Sequence, residues 1–361
     1  MPSVSRAGTQ APESQWYKAL STYERPNRRK AVWQLFNTFG PYIALWALMV
    51  YLVRQEYSYW ITLAFTAVAA TLFIRIFIFF HDCCHGSFFA SPRANRILGY
   101  IAGILTFTPY EDWRRAHAGH HATAGDLDRR GVGDVWLMTV TEYLAAPPRK
   151  RLAYRCLRNP AIMFGLVPAG LSLILHRFPH KGAGTRERRS VIVTNLAIVA
   201  MIGLAGVTIG VGTYLSIQLP ILLMTGTVGV WLFYVQHQYE GVYWARHQDW
   251  DPMKAALEGS SYYRLPKVLQ WCTGNIGLHH IHHARPGIPN YNLQQCCDDV
   301  PVLRAVDPMT FRKSLKSLRM HLWDEQAQKL VSFRSMKTQP KQQAVVKDKL
   351  TGEIPKRHKE P

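Results

Sequence analysis

Four long apolar stretches interrupt an otherwise polar chain. They cover residues 33–53, 59–80, 190–210 and 215–235. Each is close to the roughly 20 residues that cross a hydrocarbon core as an α-helix. A polar link at residues 54–56 joins the first two stretches, and we expect a tight turn near residues 212–214 between the last two. The pattern predicts an all-α integral membrane protein with four transmembrane helices arranged as two hairpins.

Histidines cluster beside these stretches. Nine of the 15 histidines fall in three short runs. The runs are HDCCH at residues 81–85, HAGHH at residues 117–121 and HHIHH at residues 279–283. Imidazoles recur at i and i+4, or at i, i+3 and i+4, so that a helix would carry each set on one face. We therefore expect three helical histidine boxes that contribute to a common site.

Two shorter apolar segments decide whether the boxes can meet. Residues 97–107 are too few to cross a bilayer as a helix. Residues 162–175 contain Pro168 and two glycines between basic flanks. A single crossing by either segment would put the boxes on opposite faces of the membrane. We therefore expect the first to be interfacial or re-entrant and the second to be a helix lying in the interface, which leaves a histidine-rich helical cap on one side.

Basic residues predict the orientation of the chain. Those before the first stretch and in the central loop are Arg25, Arg28, Arg29, Lys30, Arg149, Lys150, Arg151, Arg155, Arg158, Lys181, Arg186, Arg188 and Arg189. The predicted hairpin turns have almost no positive charge beyond Arg54. The positive-inside rule therefore predicts cytoplasmic termini and a cytoplasmic histidine cap. Topology and attraction to anionic lipids also account for the net charge of +20, and no nucleic-acid motif accompanies it, so we expect no nucleic-acid partner.

The remaining segments complete the predicted organisation. Residues 1–32 are polar and lack the apolar core of a secretory signal, which predicts a cytosolic N-terminus and an uncleaved first helix. One membrane domain is expected over residues 33–325. Residues 337–361 are rich in Lys, Gln and Pro, and we expect a disordered basic tail there. Four of the six cysteines form two adjacent pairs, Cys83-Cys84 and Cys296-Cys297, a pattern that suits a reduced cytosolic face.

The histidines are candidate metal ligands, because neutral imidazole binds iron, zinc, copper and nickel well. The candidates in the boxes are His81, His85, His117, His120, His121, His279, His282 and His283, with His280 pointing away. His237, at the end of the fourth apolar stretch, is a ninth candidate, and Asn275 is a candidate ligand through water. So many imidazoles exceed the three ligands of a hydrolytic zinc site and favour a dinuclear centre. The isolated histidines are expected to be structural or solvated.

Carboxylates near the boxes could orient the ligands, since ligating histidines usually donate their second N–H to a carboxylate or a carbonyl. The candidates are Asp82, Glu111, Asp112, Asp126, Asp128, Asp134, Glu240 and Asp249. The sequence assigns no pairs. For each carboxylate taken alone, a solvated loop position or a salt bridge is the simpler interpretation.

The three boxes resemble those of the membrane fatty-acid desaturase family, which has HxxxH or HxxxxH, then HxxHH, then HxxHH or QxxHH. Residues 81–89, HDCCHGSFF, are similar to the HDCGHGSFF box of acyl-lipid desaturases of the Δ12/ω-6 type, with Cys84 in place of glycine. Residues 274–292 are also similar to bacterial acyl-lipid members. The resemblance covers roughly residues 35–325.

The resemblance implies a fold, a cofactor and a reaction. A di-iron enzyme would use two iron ions (Fe2+/Fe3+), held by these histidines, with O2 and two electrons to insert a cis double bond into a fatty acyl chain. The substrate would be a membrane lipid, and the location a bacterial inner membrane. An external electron donor is also implied, either ferredoxin or cytochrome b5, because the chain has no HPGG haem motif and no glycine-rich dinucleotide fingerprint. No catalytic residue beyond the metal ligands is expected.

Two alternative functions are compatible with the sequence. The nearer one is another di-iron oxidation on the same scaffold, by a fatty-acyl or hydrocarbon hydroxylase or a conjugase. The more distant one is a histidine-rich metal transporter or a zinc lipid hydrolase. Transport predicts polar residues at bilayer depth, whereas the apolar stretches contain few, among them Asn37, Asn195 and Gln218. Arg75 is expected either to snorkel to the headgroups or to mark where its helix leaves the lipid.

Overall fold

A computed structural model describes residues 15–131 and 133–336, and most of this part of the chain is helical. The α-helices are α1 (Gln15–Ala19), α2 (Arg28–Arg54), α3 (Tyr59–His85), α4 (Pro92–Leu105), α5 (Tyr110–Thr123), α6 (Val140–Ala145), α7 (Pro148–Leu157), α8 (Val167–Leu173), α9 (Thr185–Thr208), α10 (Val211–His237), α11 (Pro252–Glu258), α12 (Lys267–Cys272), α13 (His279–Ala284), α14 (Asn290–Asp299), α15 (Pro301–Arg304), α16 (Phe311–Lys316) and α17 (Phe333–Met336). Short 3-10 segments cover Leu20–Glu24, Leu175–Arg177, His247–Asp249 and Ser317–Arg319. The predicted tail at residues 337–361 and the first part of the predicted N-terminal segment, residues 1–14, lie outside the described residues.

Four helices are long and apolar enough to cross a membrane, which confirms the predicted pair of hairpins. They are α2, α3, α9 and α10. The helices extend beyond the apolar stretches: α2 already begins at Arg28, and α3 continues to His85. Helix α3 is central, since 61% of its most apolar window is buried against 22–28% for the other three. It packs against α2, α4 and α10.

The turn of the second hairpin lies elsewhere than expected, so the prediction at residues 212–214 is wrong. Helix α9 ends at Thr208 and α10 begins at Val211. Gly210 adopts a φ of 86°, a conformation that glycine reaches without a steric penalty. Apolar residues continue on both sides of this two-residue break, so hydropathy alone does not locate it.

Neither of the two shorter apolar segments forms a spanning helix by itself. Helix α4 packs against α3 and α9 beside the bundle. Residues 162–175 are not one flat helix: a π-helical turn, Ile162–Leu166, leads into α8, and the whole segment Ile162–Arg177 is bent by 65° from α7. The Thr227 hydroxyl of α10 donates to the Phe164 carbonyl at 2.7 Å. The segment therefore packs against α10.

A small sheet is the exception to the all-α prediction. Its strands are β1 (Met138–Thr139), β2 (Leu322–Asp324) and β3 (Lys329–Val331), in the order β1-β2-β3. Strand β1 is parallel to β2, with Met138 opposite Leu322, and β3 is antiparallel to β2. Strands of two or three residues are too short to show an alternating pattern in the sequence. The sheet attaches the C-terminal part of the described chain to the loop after α5.

Arg75 is neither in contact with headgroups nor at the end of its helix. Its side chain is only 2% exposed. Its Nε donates to the Thr38 hydroxyl of α2 at 3.0 Å, and its Nη1 donates to the carbonyl oxygen of Trp271 in α12. The guanidinium also lies 4.1 Å from the centre of the Trp271 ring. Arg75 thus joins three helices inside the protein.

Candidate metal centre

The three boxes lie on helices, as their spacing predicts. His81 and His85 form the last turn of α3, which ends at Gly86 in the left-handed conformation (φ 71°). The second box occupies the C-terminal half of α5, and the third box forms α13. His237 is the last residue of α10. Two of the four spanning helices, α3 and α10, therefore carry histidines at the ends that meet the cap.

All nine histidine candidates converge in two groups. The first group is His81, His85, His117, His121 and His282, and the second is His120, His237, His279 and His283. Within each group, one ring nitrogen of every histidine lies within 4.8 Å of those of the others. The groups adjoin one another, because the rings of His121 and His283 stack at a centroid distance of 4.2 Å. The arrangement has the form of two neighbouring metal sites.

Hydrogen bonds in the second group fix where the ring protons lie. The Nδ1 of His120 donates to Asp134 Oδ1 at 2.6 Å, and the Nδ1 of His237 donates to the Gly259 carbonyl at 3.1 Å. In the neutral form of imidazole, which binds metal and has one N–H, these hydrogen bonds leave the Nε2 of each ring with only a lone pair. These two Nε2 atoms are 3.1 Å apart. Two facing lone pairs repel each other unless a cation lies between them, and this group therefore fits a metal ion.

The first group shows the same signs. The Nε2 atoms of His117 and His121 are 3.1 Å apart, and the Nε2 of His282 is 3.0 Å from that of His121. The buried Nε2 of His85 has no hydrogen-bond partner among the described residues, and the same holds for His283 in the second group. Buried polar atoms are normally satisfied. A cation bound in each group would satisfy these nitrogens.

Burial keeps the cap histidines in the form that binds metal. Desolvation, reinforced by the neighbouring imidazoles, holds the pKa well below its usual value for His117, His121, His279, His282 and His283. These rings are therefore neutral at physiological pH. Neutral imidazole is the ligating form, so binding a metal there requires no loss of a proton.

Comparison with known proteins agrees with this geometry. Residues 57–306 match the sequence profile described as fatty acid desaturase. The chain is also 48% identical over 328 residues to a fatty acid desaturase of Bacillus subtilis (strain 168), which covers 91% of this chain and 93% of the relative. The chain belongs to the fatty acid desaturase family.

More distant relatives carry more specific names. The chain is 25% identical to an sn-1 acyl-lipid omega-3 desaturase (ferredoxin) of Nostoc sp. (strain 36), over 83% of this chain and 82% of the relative. It is 26% identical to an endoplasmic reticulum omega-3 fatty acid desaturase of Vigna radiata var. radiata, over 62% of this chain and 60% of the relative. The desaturase family is therefore shown, while a Δ12 subtype is not.

Two carboxylates of this desaturase contact the site histidines. Asp134 accepts from His120, as described above. Asp82 Oδ1 lies 3.2 Å from the Nδ1 of His81, and its Oδ2 accepts from the backbone and side-chain nitrogens of Asn290 at 2.7 and 2.9 Å. Asn290 thus holds Asp82 in place beneath the first group. Partners of this kind orient a ligand ring and raise its basicity.

The other six predicted carboxylates have partners outside the two groups. Asp112 accepts from His180, Asp126 from Arg129 and His247, Asp128 from Arg246, Glu111 from Arg114, Glu240 from Lys316, and Asp249 from Gln248. A solvated position or a salt bridge, the simpler interpretation, agrees with the structure for five of them, whereas Asp112 is buried in α5 and pairs with His180. Two of the isolated histidines, His180 and His247, are explained by the same pairs.

His280 and Asn275 lie beside the site. His280 is outside both groups, as expected, and its Nε2 donates to the Leu303 carbonyl at 3.1 Å. Asn275 adopts a φ of 59°, and its side-chain amide donates to the Asn290 carbonyl at 2.8 Å. It therefore supports the residue that holds Asp82. Its role as a ligand through water stays a prediction.

Two contributors to the site gave no signal in the sequence. The Gly259 carbonyl, which fixes the His237 ring, is a backbone group in a loop, and no side chain marks it. Asn290 lies in the NYN sequence after the third box, but only the fold brings it to Asp82.

Trp113 stacks on His117 with a centroid distance of 4.3 Å and an angle of 22° between the rings. It therefore belongs to the wall of the metal centre.

Proposed function

We propose that the chain inserts a cis double bond into the fatty acyl chains of membrane glycerolipids in an O2-dependent reaction, with the nine histidines holding two iron ions. The observation that carries this proposal is the convergence of nine imidazoles, six buried and three half-buried, in two adjoining groups with facing ring nitrogens. Five and four nitrogen ligands exceed what a single hydrolytic metal needs. Membership in the desaturase family supports iron as the metal.

The overall reaction balances with dioxygen as the oxidant. An acyl –CH2–CH2– unit, O2, two electrons and two protons give –CH=CH– and two waters. Bound iron would supply the activation of dioxygen that abstraction of an unactivated hydrogen requires. Desolvation holds five of the cap imidazoles neutral, Asp134 and Asp82 fix two other rings, and the site is largely buried against water. Burial also restricts the acyl chain to positions set by the protein, which is how selectivity between methylenes arises.

The charge pattern supports the proposed location of the reaction. The histidine cap lies at one end of α3 and α10, and the basic residues of the central loop and the N-terminal segment belong to the same side. This supports a bacterial inner-membrane enzyme with a cytoplasmic metal centre and cytoplasmic termini. We propose residues 33–325 as the functional domain, which encloses the matched residues 57–306.

Electrons come from a separate protein in this proposal. Ferredoxin and cytochrome b5 are the two candidate donors. The names of the acyl-lipid relatives from Nostoc and Synechocystis include ferredoxin, which favours the former.

The test is lipid analysis in a host that lacks polyunsaturated lipids, with the full chain and a matched ferredoxin expressed together. A new double bond in the fatty-acid methyl esters is expected, and His120→Ala should abolish it. His247→Ala is the control, because His247 pairs with Asp126 outside both groups and should leave the product intact. An oxygenated product would replace the proposal by a hydroxylase. A purified protein that contains zinc instead of two irons would refute it.

A further inference from the structure

An open cavity of about 760 Å3 lies on the outside of the cap. The loop between α5 and β1, helix α6 and the start of α7 form its walls. Its lining includes Leu127, Arg130, Trp136, Glu142, Lys150 and Arg246. None of the nine site histidines lines it. The cavity is therefore separate from the metal centre, and the proposed reaction has so far given it no role.

The cavity is nevertheless connected to the second histidine group by two hydrogen bonds. Gly131, which lines the cavity, donates its backbone N–H to Asp134 Oδ2 at 3.1 Å. The other oxygen of Asp134 accepts from the Nδ1 of His120 at 2.6 Å. Gly133 lies directly on His120, since a Cβ at Gly133 would be 3.3 Å from the His120 Cβ. The cavity and the metal centre thus approach each other at Gly131, Asp134 and His120.

The rim of the cavity is basic on the side of α7. Arg130 is neutralised by Glu142, and Arg246 by Asp128 and Glu325. Helix α7 has four cations, Arg149, Lys150, Arg151 and Arg155, and no carboxylate. Arg149 and Lys150 are exposed. The positive charge on this side is therefore uncompensated along the helix.

The cavity also exposes an aromatic side chain. Trp136 is 36% exposed, although its ring packs against Tyr154. An exposed aromatic residue beside unpaired cations is typical of a transient interface with an acidic protein. A lipid headgroup would use the cations, but it would have no use for a short connection to His120.

We propose that this carrier surface, formed by Trp136, Arg149 and Lys150, docks the acidic one-electron carrier protein that reduces the metal centre. The inference rests on the proposed function and adds the place where electrons enter. The carrier is oxidised by one electron at each docking, so two dockings supply the two electrons needed for each double bond. The hydrogen bonds that join Gly131, Asp134 and His120 provide a connection inward.

Charge reversal tests the carrier surface in the intact iron-loaded enzyme, reconstituted in lipid nanodiscs. The variant is Arg149→Glu/Lys150→Glu. The control is Arg304→Glu/Arg312→Glu, which reverses two exposed cations that do not line the cavity. The measurement is anaerobic reduction of the iron, followed by stopped-flow absorbance, with a reduced [2Fe–2S] ferredoxin at increasing concentration. A parallel series uses dithionite with methyl viologen.

The variant should need about ten times more ferredoxin for half-maximal reduction and should lose much of its salt dependence. Its reduction by dithionite, and both reactions of the control, should match the wild type. Half-saturation of the variant at the wild-type concentration would overturn the inference. A variant that loses only its affinity for phosphatidylglycerol vesicles would overturn it in favour of a lipid contact. If dithionite does not reduce the wild type, or if the purified wild type contains no iron, the proposed function is refuted instead.

Discussion

Replacing Asp134 by asparagine should weaken one metal site and leave the other intact. The change removes the charge that accepts from the His120 Nδ1 at 2.6 Å while preserving the shape of the side chain. The neutral amide is a poorer acceptor, and its NH2 group can instead donate to Nδ1, which would move the ring proton to Nε2. A protonated Nε2 does not bind metal.

The size of the effect follows from the role of the carboxylate. Removal of a partner that orients a metal ligand typically costs 10–100-fold in metal affinity, which corresponds to about 1.4–2.7 kcal/mol. Asp134 contacts only the second histidine group. The cost should therefore apply to one of two irons. The first group, with Asp82 as its carboxylate, should retain its affinity.

The chain contains a closely matched control in Asp112. Its carboxylate also accepts from one imidazole and one backbone N–H, those of His180, at 2.5 and 3.2 Å. Asp112 is buried and the side chain of Asp134 is only 8% exposed, but His180 is not part of the metal centre. Asp112→Asn therefore reproduces the loss of a buried aspartate–histidine pair without touching a candidate ligand.

The assay is iron retention against increasing concentrations of a chelator, measured on the purified full chain. Wild type and Asp112→Asn should release iron over the same range. Asp134→Asn should lose its first iron at a 10–100-fold lower free chelator concentration and its second iron as the wild type does. Equal retention in all three proteins would refute the assignment of Asp134. Simultaneous loss of both irons would refute the separation into two groups.

Three further predictions concern residues around the site. Arg75→Lys should lower the free energy of unfolding by about 1–3 kcal/mol, because one ammonium group cannot replace both hydrogen bonds and the stacking on Trp271; an unchanged melting temperature in detergent would contradict this. His280→Gln should keep both irons and His282→Gln should not, as measured by metal analysis. Burial lowers the pKa of His321 to about 4, so only the unfolded chain takes up a proton there between pH 6.5 and 4. The free energy of unfolding should therefore decrease as the pH is lowered from 6.5 to 4. His321→Gln should reduce the slope of melting temperature against pH.

Sequence patterns predict what depends on local geometry. The four spanning helices follow from hydropathy, and the histidine boxes follow from the spacing of imidazoles along a helix. Long-range pairs are different. Asp112 and Asp134 both lie near the second box in sequence, yet Asp134 accepts from His120 and Asp112 accepts from His180. Only the path of the loop after α5, with its turn at Gly133, distinguishes them. The small sheet depends on pairing across more than 180 residues in the same way.

The division of the boxes between the two groups has a simple geometric cause. Successive residues of an α-helix are rotated by about 100°, so positions i and i+4 differ by about 40°, while i+3 lies about 60° to the other side of i. In α5, His117 and His121 accordingly join the first group and His120 the second. In α13, His279 and His283 join the second group and His282 the first.

Each HxxHH box therefore bridges the two groups, giving its i and i+4 histidines to one and its i+3 histidine to the other. The HxxxH box, which has no i+3 member, serves only the first group, and His237 completes the second. The two bridging helices fix the separation of the groups, because each carries ligands of both on a rigid backbone. His120 is the member through which α5 reaches the second group. Asp134, which orients that ring alone, should for this reason influence one metal and not the pair.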